Sequence, residues 1–335
     1  MKLAEIVKIL AVEPIAGADS IEVCSVLGYK VVTQKGRFKP GDLAAFVYPD
    51  TTLPRKSWSE FLFKGDHASD TRIRLKVAKL RGQVSQGLLV DIKDVPQCVP
   101  LEGDNVTNNL EVEKFEKPLP SCLAGDSDGY LPGYVHKTDE DNLRSNIATL
   151  KELEGREVYI TQKIDGSSGT YLIKDGDFKV CSRNLVLKKT DKFNTFWHMA
   201  ELFRIEQILR ASNRSLCLQG EVYGHGIQGN PLEVQAATFA AFDLYDIEKA
   251  EYFGFDDFLK FCFINNIPTV KTIYRGEFRF DLPTLIKMAN EEKYLNGKPC
   301  EGIVIRPVVP VHSNVTGRRL SVKVISEKYA LKHGE

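Results

Sequence analysis

The sequence predicts an α+β protein in which a small all-β domain precedes a domain built on antiparallel sheets. Three observations support this fold class. The first hundred residues hold short runs rich in Val, Ile, Leu and Tyr, with glycine and proline between the runs. After about residue 150, strand-like runs alternate with stretches of helical period. Those strand-like runs lie too close in sequence for a doubly wound parallel sheet.

Length and composition are those of an ordinary globular protein with two domains. The chain has 335 residues, of which 43% are hydrophobic and 27% are charged. A stretch rich in proline and glycine, at 117–133, has no useful periodicity and predicts an interdomain connection. We therefore predict a first domain, a linker and a second domain at 1–108, 109–128 and 129–335.

The individual elements are predicted from local patterns. The first domain has four strand-like runs, at 21–26, 29–33, 43–48 and 87–92. The second domain has seven, at 156–163, 169–174, 177–182, 216–223, 238–244, 301–307 and 319–325. Helical periodicity predicts helices near 194–211, 255–265 and 283–296. Asp175 and Gly176 separate two of the runs, which is typical of a tight antiparallel hairpin.

Charge and termini limit the classes of function. The 45 basic and 45 acidic residues cancel, so no global field draws the protein to nucleic acid or to an anionic membrane. Charged residues interrupt the apolar runs of the N-terminus, so we predict neither a signal peptide nor a membrane span. The expected location is intracellular and cytoplasmic, with nuclear or organellar locations left open. Seven widely spaced cysteines without a CxxC pair argue against disulfides and zinc.

One local cluster of cations lies in the alternating stretch 72–81. If this stretch is a strand, its period of two puts Arg72, Arg74 and Lys76 on one face. Such a face is a candidate RNA-binding surface. The alternative, which the sequence leaves open, is the solvated outer face of a sheet.

The strongest chemical signal is the run Lys163-Ile164-Asp165-Gly166. A lysine nucleophile must be neutral to attack, and its unperturbed pKa is about 10.4, so nearby cations or a metal ion must lower that pKa. On a strand Lys163 and Asp165 point to the same side, where the carboxylate could help to hold a divalent cation near the amine. Gly166 lets the backbone turn and approach a ligand closely. Alone, this run also fits a surface ion pair before an ordinary turn.

Residues further along the chain strengthen the signal. An arginine closes the hairpin after the lysine strand, an acid bracketed by glycines ends an apolar strand, and an aromatic residue precedes an aspartate at the end of another. A second acid then stands at the mouth of a buried strand, and a lysine lies within an apolar one, which is uncommon unless the lysine is paired or functional. In order, these residues are Arg183, Glu221, Phe242, Glu301 and Lys323.

This ordered set resembles the superfamily of polynucleotide ligases and RNA capping enzymes. The shared motifs are K-x-D-G, S-R, G-E-x-x-G, an aromatic residue with Asp, E-G-x-x-x-R and a strand with a lysine, and they cover about residues 130–330. Further stretches are similar to RNA ligases of the Deinococcus type, at 14–22, 41–42, 81–88 and 137–140. The resemblance implies an OB barrel, suited to binding nucleic acid, in front of an ATP-grasp-like nucleotidyltransferase domain.

The resemblance also implies how the site handles a nucleotide. Lys163 would form the lysyl-AMP bond, and Lys323 would contact the α-phosphate. Phe242 would stack on adenine, while Arg183 and Glu221 would hold the ribose. Three further residues are implied to bind the nucleotide: Arg144 at a phosphate, with Gln162 and Gly166.

A divalent cation is implied by the same resemblance. Asp165 and Glu301 would organise Mg²⁺ or Mn²⁺ through its waters, with Glu221 near the metal. Many relatives carry two lysines, spaced K-x-K, in the last motif. Here Ser321 stands at the first position, which leaves the role of the next lysine, Lys328, open.

The implied function is that of a monomeric, ATP-dependent RNA ligase. It would seal 3′-hydroxyl and 5′-phosphate ends of RNA, in a nicked duplex, through lysyl-AMP and RNA-adenylate intermediates. A DNA ligase or a GTP-dependent capping guanylyltransferase is the alternative enzyme, but these usually carry an OB domain after the last motif, and only twelve residues follow Lys323. The other alternative is a non-catalytic RNA-binding OB protein, against which the intact set of motif residues argues.

Overall fold

The computed structural model describes residues 2–115 and 126–333. The chain forms two compact units. The first comprises Met1–Lys117, Leu143–Ile147 and Glu327–Glu335, and the second comprises Pro118–Asn142 and Ala148–Ser326. The first division between the units falls after Lys117, within the predicted linker 109–128, and two short segments of the predicted second domain group with the first unit. Half of the predicted linker 109–128, residues 116–125, lies outside the described residues.

The first unit is rich in short antiparallel strands. Its described strands, β1 to β11, are Ala4–Lys8, Ala11–Pro14, Ile21–Val26, Tyr29–Gln34, Leu43–Val47, Thr51–Pro54, Arg72–Leu75, Ala78–Leu80, Gln83–Ser85, Leu88–Asp91 and Glu113–Lys114. They form sheets in the orders β1-β5-β10, β2-β3-β4, β11-β6-β7 and β8-β9. A two-residue connection, Leu27 and Gly28, both with positive φ, joins β3 to β4 as a tight hairpin.

The strands of the second unit form two larger sheets. Strands β12 to β23 are Ser127–Tyr130, Asp141–Asn142, Glu157–Lys163, Ser167–Lys174, Asp177–Cys181, Leu185–Leu187, Leu216–Tyr223, Thr238–Asp246, Glu251–Tyr252, Thr272–Glu277, Gly302–Pro307 and Val322–Ile325. Seven of them form a sheet in the order β12-β17-β16-β15-β18-β19-β20, and five form a sheet in the order β13-β23-β22-β14-β21. Pairing is antiparallel throughout, apart from β13 with β23.

Helices cover the sheets of the second unit. Helices α1 to α6 are Thr149–Leu153, Thr195–Leu202, Ile205–Ala211, Phe255–Ile264, Leu282–Glu291 and Glu327–His333, the last of which belongs to the first unit. The apolar side chains of α2, α3 and α4 share one core with the seven-stranded sheet, in which Met199, Leu209 and Phe258 join Leu218 and Phe239. Short 3-10 helices occur at Glu60–Leu62, Gly65–His67, Ile92–Asp94 and Leu143–Asn146.

The predicted helices differ from the observed ones at two places. The helix expected at 194–211 is two helices, because Arg204 takes a left-handed conformation with φ of 51° between α2 and α3. The helix expected at 283–296 ends at Glu291, because Glu292 is extended. Gly297 therefore does not end that helix and instead lies in a separate turn with φ of 81°.

Two further sequence expectations concern cysteines and membranes. Of the cysteines in the described ranges, Cys24, Cys181, Cys217, Cys262 and Cys300 are buried thiols without a disulfide, as expected. Within the same ranges, none of the helices combines the length and apolar character needed to cross a bilayer.

Candidate active site

A cleft between the two sheets of the second unit is lined by four of the predicted site residues, one of which is Gln162. Lys163, Glu221 and Phe242 line it, together with Thr138 and Arg306. The cleft forms where the chain leaves one sheet at the end of β14 and enters the other at β15. Side chains from both sheets can therefore face one bound molecule.

Lys163 is fixed by the register of the five-stranded sheet. It is the last residue of β14 and lies opposite Gly302, the first residue of β22. This register brings the residue before Gly302 next to the lysine, and Lys163 Nζ lies 2.7 Å from Glu301 Oε1. Glu301 is buried, whereas Lys163 is partly exposed to the cleft. The carboxylate can therefore orient the amine and lies within hydrogen-bond reach of its proton.

Three carboxylates surround this lysine. The pKa of Glu221 is raised to about 8, mainly because the group is buried; Lys163 opposes this rise, the negative charges of Glu301 and Asp165 add to it, and Arg183 also opposes it. The five predicted residues thus lie close enough to act on one another electrostatically. Crowded carboxylates of this kind disfavour ionisation unless a cation joins them. Carboxylate oxygens are the donors that hard divalent cations prefer.

Gly166 is required by a close approach of two strands. A Cβ atom at this position would lie 2.6 Å from the carbonyl oxygen of Val222 and 2.8 Å from Cγ of Glu221. The sequence interpretation assigned this glycine to the approach of a ligand. The structure shows that it lets the chain enter β15 directly against the strand that carries Glu221, and its role in nucleotide binding stays a prediction.

Phe242 reaches the cleft through a β-bulge. Gln219 pairs with Asp243 and Gly220 pairs with Ala241, so Phe242 is the extra residue on β19. Bulges re-aim side chains, and this one directs an aromatic ring to the cleft. The guanidinium of Arg306 lies 5.6 Å from the centre of that ring and donates a hydrogen bond to the Phe242 carbonyl at 3.4 Å.

Lys323 shares the cleft-facing side of the five-stranded sheet. It lies directly opposite Val304, and Val304 also lies opposite Thr161. Side chains of residues directly opposite one another lie on the same face of a sheet. Both Val304 and Thr161 line the cleft, so Lys323 belongs to the same face as Lys163.

A network of ion pairs and hydrogen bonds adjoins the cleft, and Arg306 and Glu140 belong to both. Arg306 donates from Nη2 to Glu140 at 2.5 Å and from Nε to Ser321 Oγ at 2.8 Å, and Arg319 donates to Asp243 at 2.5 Å. Burial alone would raise the pKa of Glu140, but Arg306, Ser321 and Arg319 together outweigh that effect and lower the pKa. Ser321, where many relatives carry a lysine, thus accepts a hydrogen bond from Arg306.

Two predicted nucleotide-binding residues have partners within the second unit. Arg183 is exposed and forms an ion pair with Asp139 at 2.7 Å. Gln162 donates from Nε2 to Glu292 and to the carbonyl of Lys293, both at 2.8 Å. The side-chain amide of Gln162 therefore anchors the segment after α5, and its role in nucleotide binding stays a prediction.

Arg144 groups with the first unit. It is buried, donates to Gln86 at 3.2 Å and to Glu327 at 3.3 Å, and its guanidinium lies 5.2 Å from the ring centre of Tyr29. All of these contacts lie within that unit. A role at a phosphate stays a prediction.

The predicted metal site depends on how closely its acids approach one another. Within residues 2–115 and 126–333, no three His, Cys, Asp or Glu side chains are close enough to form a direct ligand set. Asp165, Glu221 and Glu301 therefore do not form such a set here. Their role through the waters of a bound ion, which is how Mg²⁺ commonly meets carboxylates, stays a prediction.

The predicted RNA-binding cations lie in the first unit. Arg72 and Arg74 are on β7, which ends one residue before the exposed Lys76. Arg72 forms an ion pair with Glu113 at 3.3 Å, and Arg74 forms one with Asp50 at 2.6 Å. The cations are therefore partly matched by acids of their own unit.

A groove lies beside these cations. Arg74 and Lys76 line it together with His67 and Phe115, and the guanidinium of Arg74 lies 4.2 Å from the centre of the Phe115 ring. The combination of cations with an aromatic ring is typical of surfaces that bind single-stranded nucleic acid.

Comparison with known families agrees with this architecture. Residues 156–325, just over half of the chain, match the profile of the RNA ligase family, and residues 3–92 match an OB-fold domain profile. A search among curated proteins found no match.

Solved structures similar to this chain include several of RNA ligase from Naegleria gruberi. A variant of that enzyme with ATP and manganese is 32% identical, with 99% of this chain and 98% of the other covered and a TM-score of 0.84. A variant with AMP and manganese is 32% identical, with 99% of each chain covered and a TM-score of 0.85. The enzyme with pyrophosphate is 33% identical, with 99% of each chain covered and a TM-score of 0.83.

This chain therefore belongs to the RNA ligase family. The predicted family, the α+β fold class with an OB domain in front, and the enzyme class are confirmed.

Sequence reasoning missed two cleft residues, Arg306 and Glu140. Arg306 closes the E-G-x-x-x-R motif, and an arginine within a buried apolar strand was the signal that could have identified it. Glu140 lies in the stretch 137–140, whose only signal in the sequence was its family resemblance.

Proposed function

We propose that this protein is an ATP-dependent RNA ligase in which Lys163 carries AMP between ATP and a 5′-phosphate end of RNA. The observation that carries the proposal is the ion pair of Lys163 with Glu301, 2.7 Å apart, at a cleft that Glu221 and Phe242 also line. A lysine held by a carboxylate beside an aromatic ring offers a nucleophile, a proton acceptor and a surface for a purine.

The first step is transfer of AMP to the protein. Lys163 Nζ loses a proton, for which Glu301 is within reach, and attacks the α-phosphorus of ATP. A phosphorus–nitrogen bond forms, and the bond to pyrophosphate breaks. Lys323, on the same sheet face, supplies positive charge to the α-phosphate oxygens, and Phe242 stacks on the adenine.

Two further transfers complete sealing. A 5′-phosphate oxygen of RNA attacks the phosphorus of lysyl-AMP, and the lysine leaves as an amine that regains its proton. A 3′-hydroxyl then attacks the activated 5′-phosphorus and displaces AMP. Each step needs alignment and charge neutralisation, and needs no further covalent group from the protein.

A divalent cation, Mg²⁺ or Mn²⁺, would be held by Asp165, Glu221 and Glu301 and would neutralise charge on the phosphate oxygens. The mutual crowding of these carboxylates supports the assignment. The Naegleria gruberi enzyme with ATP and manganese supports the choice of nucleotide and of ion.

The first unit is proposed to hold the RNA. The OB-fold match of this unit, residues 3–92, contains the cations Arg72, Arg74 and Lys76, and Phe115 of the same unit lines the groove with Arg74 and Lys76. We propose a nicked duplex with 5′-phosphate and 3′-hydroxyl ends as the substrate, bound by a monomer.

Two assays test the proposal. With labelled ATP or GTP and a divalent cation, the protein should form a covalent AMP adduct and no GMP adduct. A GMP adduct would indicate a capping guanylyltransferase. On nicked duplexes it should seal best when the 3′-hydroxyl strand is RNA. Equal sealing with DNA would favour a DNA ligase. RNA binding without either adduct would favour a non-catalytic protein.

A further inference from the structure

Tyr294 lies outside every motif of the sequence analysis, yet its hydroxyl group meets the backbone at three motif positions. It donates a hydrogen bond to the carbonyl of Lys163 at 3.1 Å. It accepts hydrogen bonds from the amide of Asp165 at 3.0 Å and from the amide of Glu301 at 3.3 Å. One side chain thus connects the end of β14 with the residue before β22.

These three hydrogen bonds use the full capacity of a phenol. A tyrosine hydroxyl has one proton to donate and two lone pairs to accept. The ordinary pKa of a tyrosine side chain is about 10, so the hydroxyl group has a proton to donate over the physiological range. Donation to Lys163 and acceptance from two amides are therefore compatible at the same time.

Tyr294 is itself firmly held. Its side chain is 4% exposed. Its own amide donates to the carbonyl of Lys298 at 2.9 Å, which closes a tight turn. The preceding carbonyl, of Lys293, accepts from Gln162 on β14 at 2.8 Å. The phenol therefore stands at a fixed place relative to the lysine strand.

We propose that Tyr294 is a positioning residue for nucleotidyl transfer, which sets Lys163, Asp165 and Glu301 in their working geometry through their backbones. This inference rests on the proposed function. Strand pairing fixes Lys163 opposite Gly302, but Asp165 and Glu301 lie just beyond the paired residues. Without the phenol, two buried amides lose their acceptor, and both carboxylates can move.

The test is Tyr294→Phe, with Tyr171→Phe as the matched control. Tyr171 is also a buried tyrosine of the second unit, and its hydroxyl has no hydrogen-bond partner among the described residues. Both variants remove one buried hydroxyl and keep the ring. The measured quantities are the maximal single-turnover rate of AMP-adduct formation and the ATP concentration for half-maximal rate.

We expect Tyr294→Phe to lower the maximal rate roughly 10- to 100-fold, because small displacements of reacting groups are costly. The half-saturating ATP concentration should stay within about twofold, since the phenol contacts backbone rather than nucleotide. Tyr171→Phe should leave both values within about twofold of wild type. A normal maximal rate in Tyr294→Phe, or a change in ATP affinity alone, would overturn the inference.

A second measurement needs no variant. In the wild-type protein, hydrogen exchange followed by NMR should show protected amides at Asp165 and Glu301, and rapid exchange at both would also overturn the inference. Failure of the wild-type protein to form any adduct would overturn the proposed function itself. That result is distinct from normal adduct formation by Tyr294→Phe, which overturns the positioning role alone.

Discussion

The cations beside the cleft of the second unit and the β7 cations of the first unit are held in different ways. In the second unit, Arg306 is buried and Arg319 is 12% exposed, both pair with acids that are at most 14% exposed, and Lys163 pairs with the buried Glu301. In the first unit, Arg72 and Arg74 pair with more exposed acids of neighbouring segments, and Lys76 is exposed.

This difference has an energetic consequence. Breaking a buried pair by removing one partner costs about 3–5 kcal/mol, whereas an exposed pair contributes about 0.2–1 kcal/mol. The second unit therefore keeps its charges in a fixed geometry, as a reaction requires. In the first unit, phosphates of RNA can replace the acidic partners of Arg72 and Arg74 at little cost in free energy. The binding of varied RNA sequences requires such replaceable pairs.

The largest effect is expected at Lys163. Lys163→Ala and Lys163→Arg should both form no AMP adduct, because alanine has no nucleophile and a guanidinium stays protonated. Both variants should still join RNA ends that carry a preformed 5′-adenylate, since that step needs no bond to lysine. Radiolabelled adduct and sealing assays measure the two steps. An adduct in Lys163→Arg would show that another residue accepts AMP.

A smaller effect is expected at Gly166. Gly166→Ala should slow adduct formation at least roughly tenfold and destabilise the fold by about 1–3 kcal/mol, because the new methyl group meets Val222 and Glu221. Gly133→Ala is the control, since a Cβ there meets nothing within 4 Å. Single-turnover rates and thermal melting measure both effects. Wild-type behaviour of Gly166→Ala would mean that the two strands separate easily.

The smallest effect is expected in the first unit. Replacing Arg72, Arg74 and Lys76 by alanine should weaken RNA binding severalfold and reduce the slope of log affinity against log salt by about 1–3. The reduction of the slope should be near 1 if Glu113 and Asp50 already neutralise the two arginines. A control variant removes three other exposed cations of this unit: Lys8, Lys35 and Lys39. Equal slopes for the two variants would identify the β7 cations as a solvated sheet face.

The sequence predicted much of the site because its residues lie at strand ends. Lys163 and Glu301 stand where an apolar run begins or ends, so the pattern that predicts the strands also predicts where their side chains emerge. Lys323 was identified because a cation within an apolar strand needs a partner or a role. Their order along the chain then matched a known set of motifs.

Tertiary contacts account for what the sequence did not predict. The hydrogen bonds of Tyr294 to the backbone of the site are possible because α5 ends at Glu291. Helical periodicity had suggested an end five residues later. The bulge at Phe242 depends on pairing between β18 and β19, which sequence spacing does not contain. The resemblance implied a place for Arg144 at a phosphate, but its grouping with the first unit depends on packing that the sequence does not show.

Peptide mapping by mass spectrometry tests the central claim most directly. Wild-type protein is incubated with ATP and Mg²⁺, digested and searched for peptides that carry an added AMP. The account predicts that the modification occurs on the peptide containing Lys163, and that pyrophosphate removes it. AMP on Lys323 or on any lysine of the first unit, or a protein that seals RNA without a lysyl-AMP adduct, would contradict it.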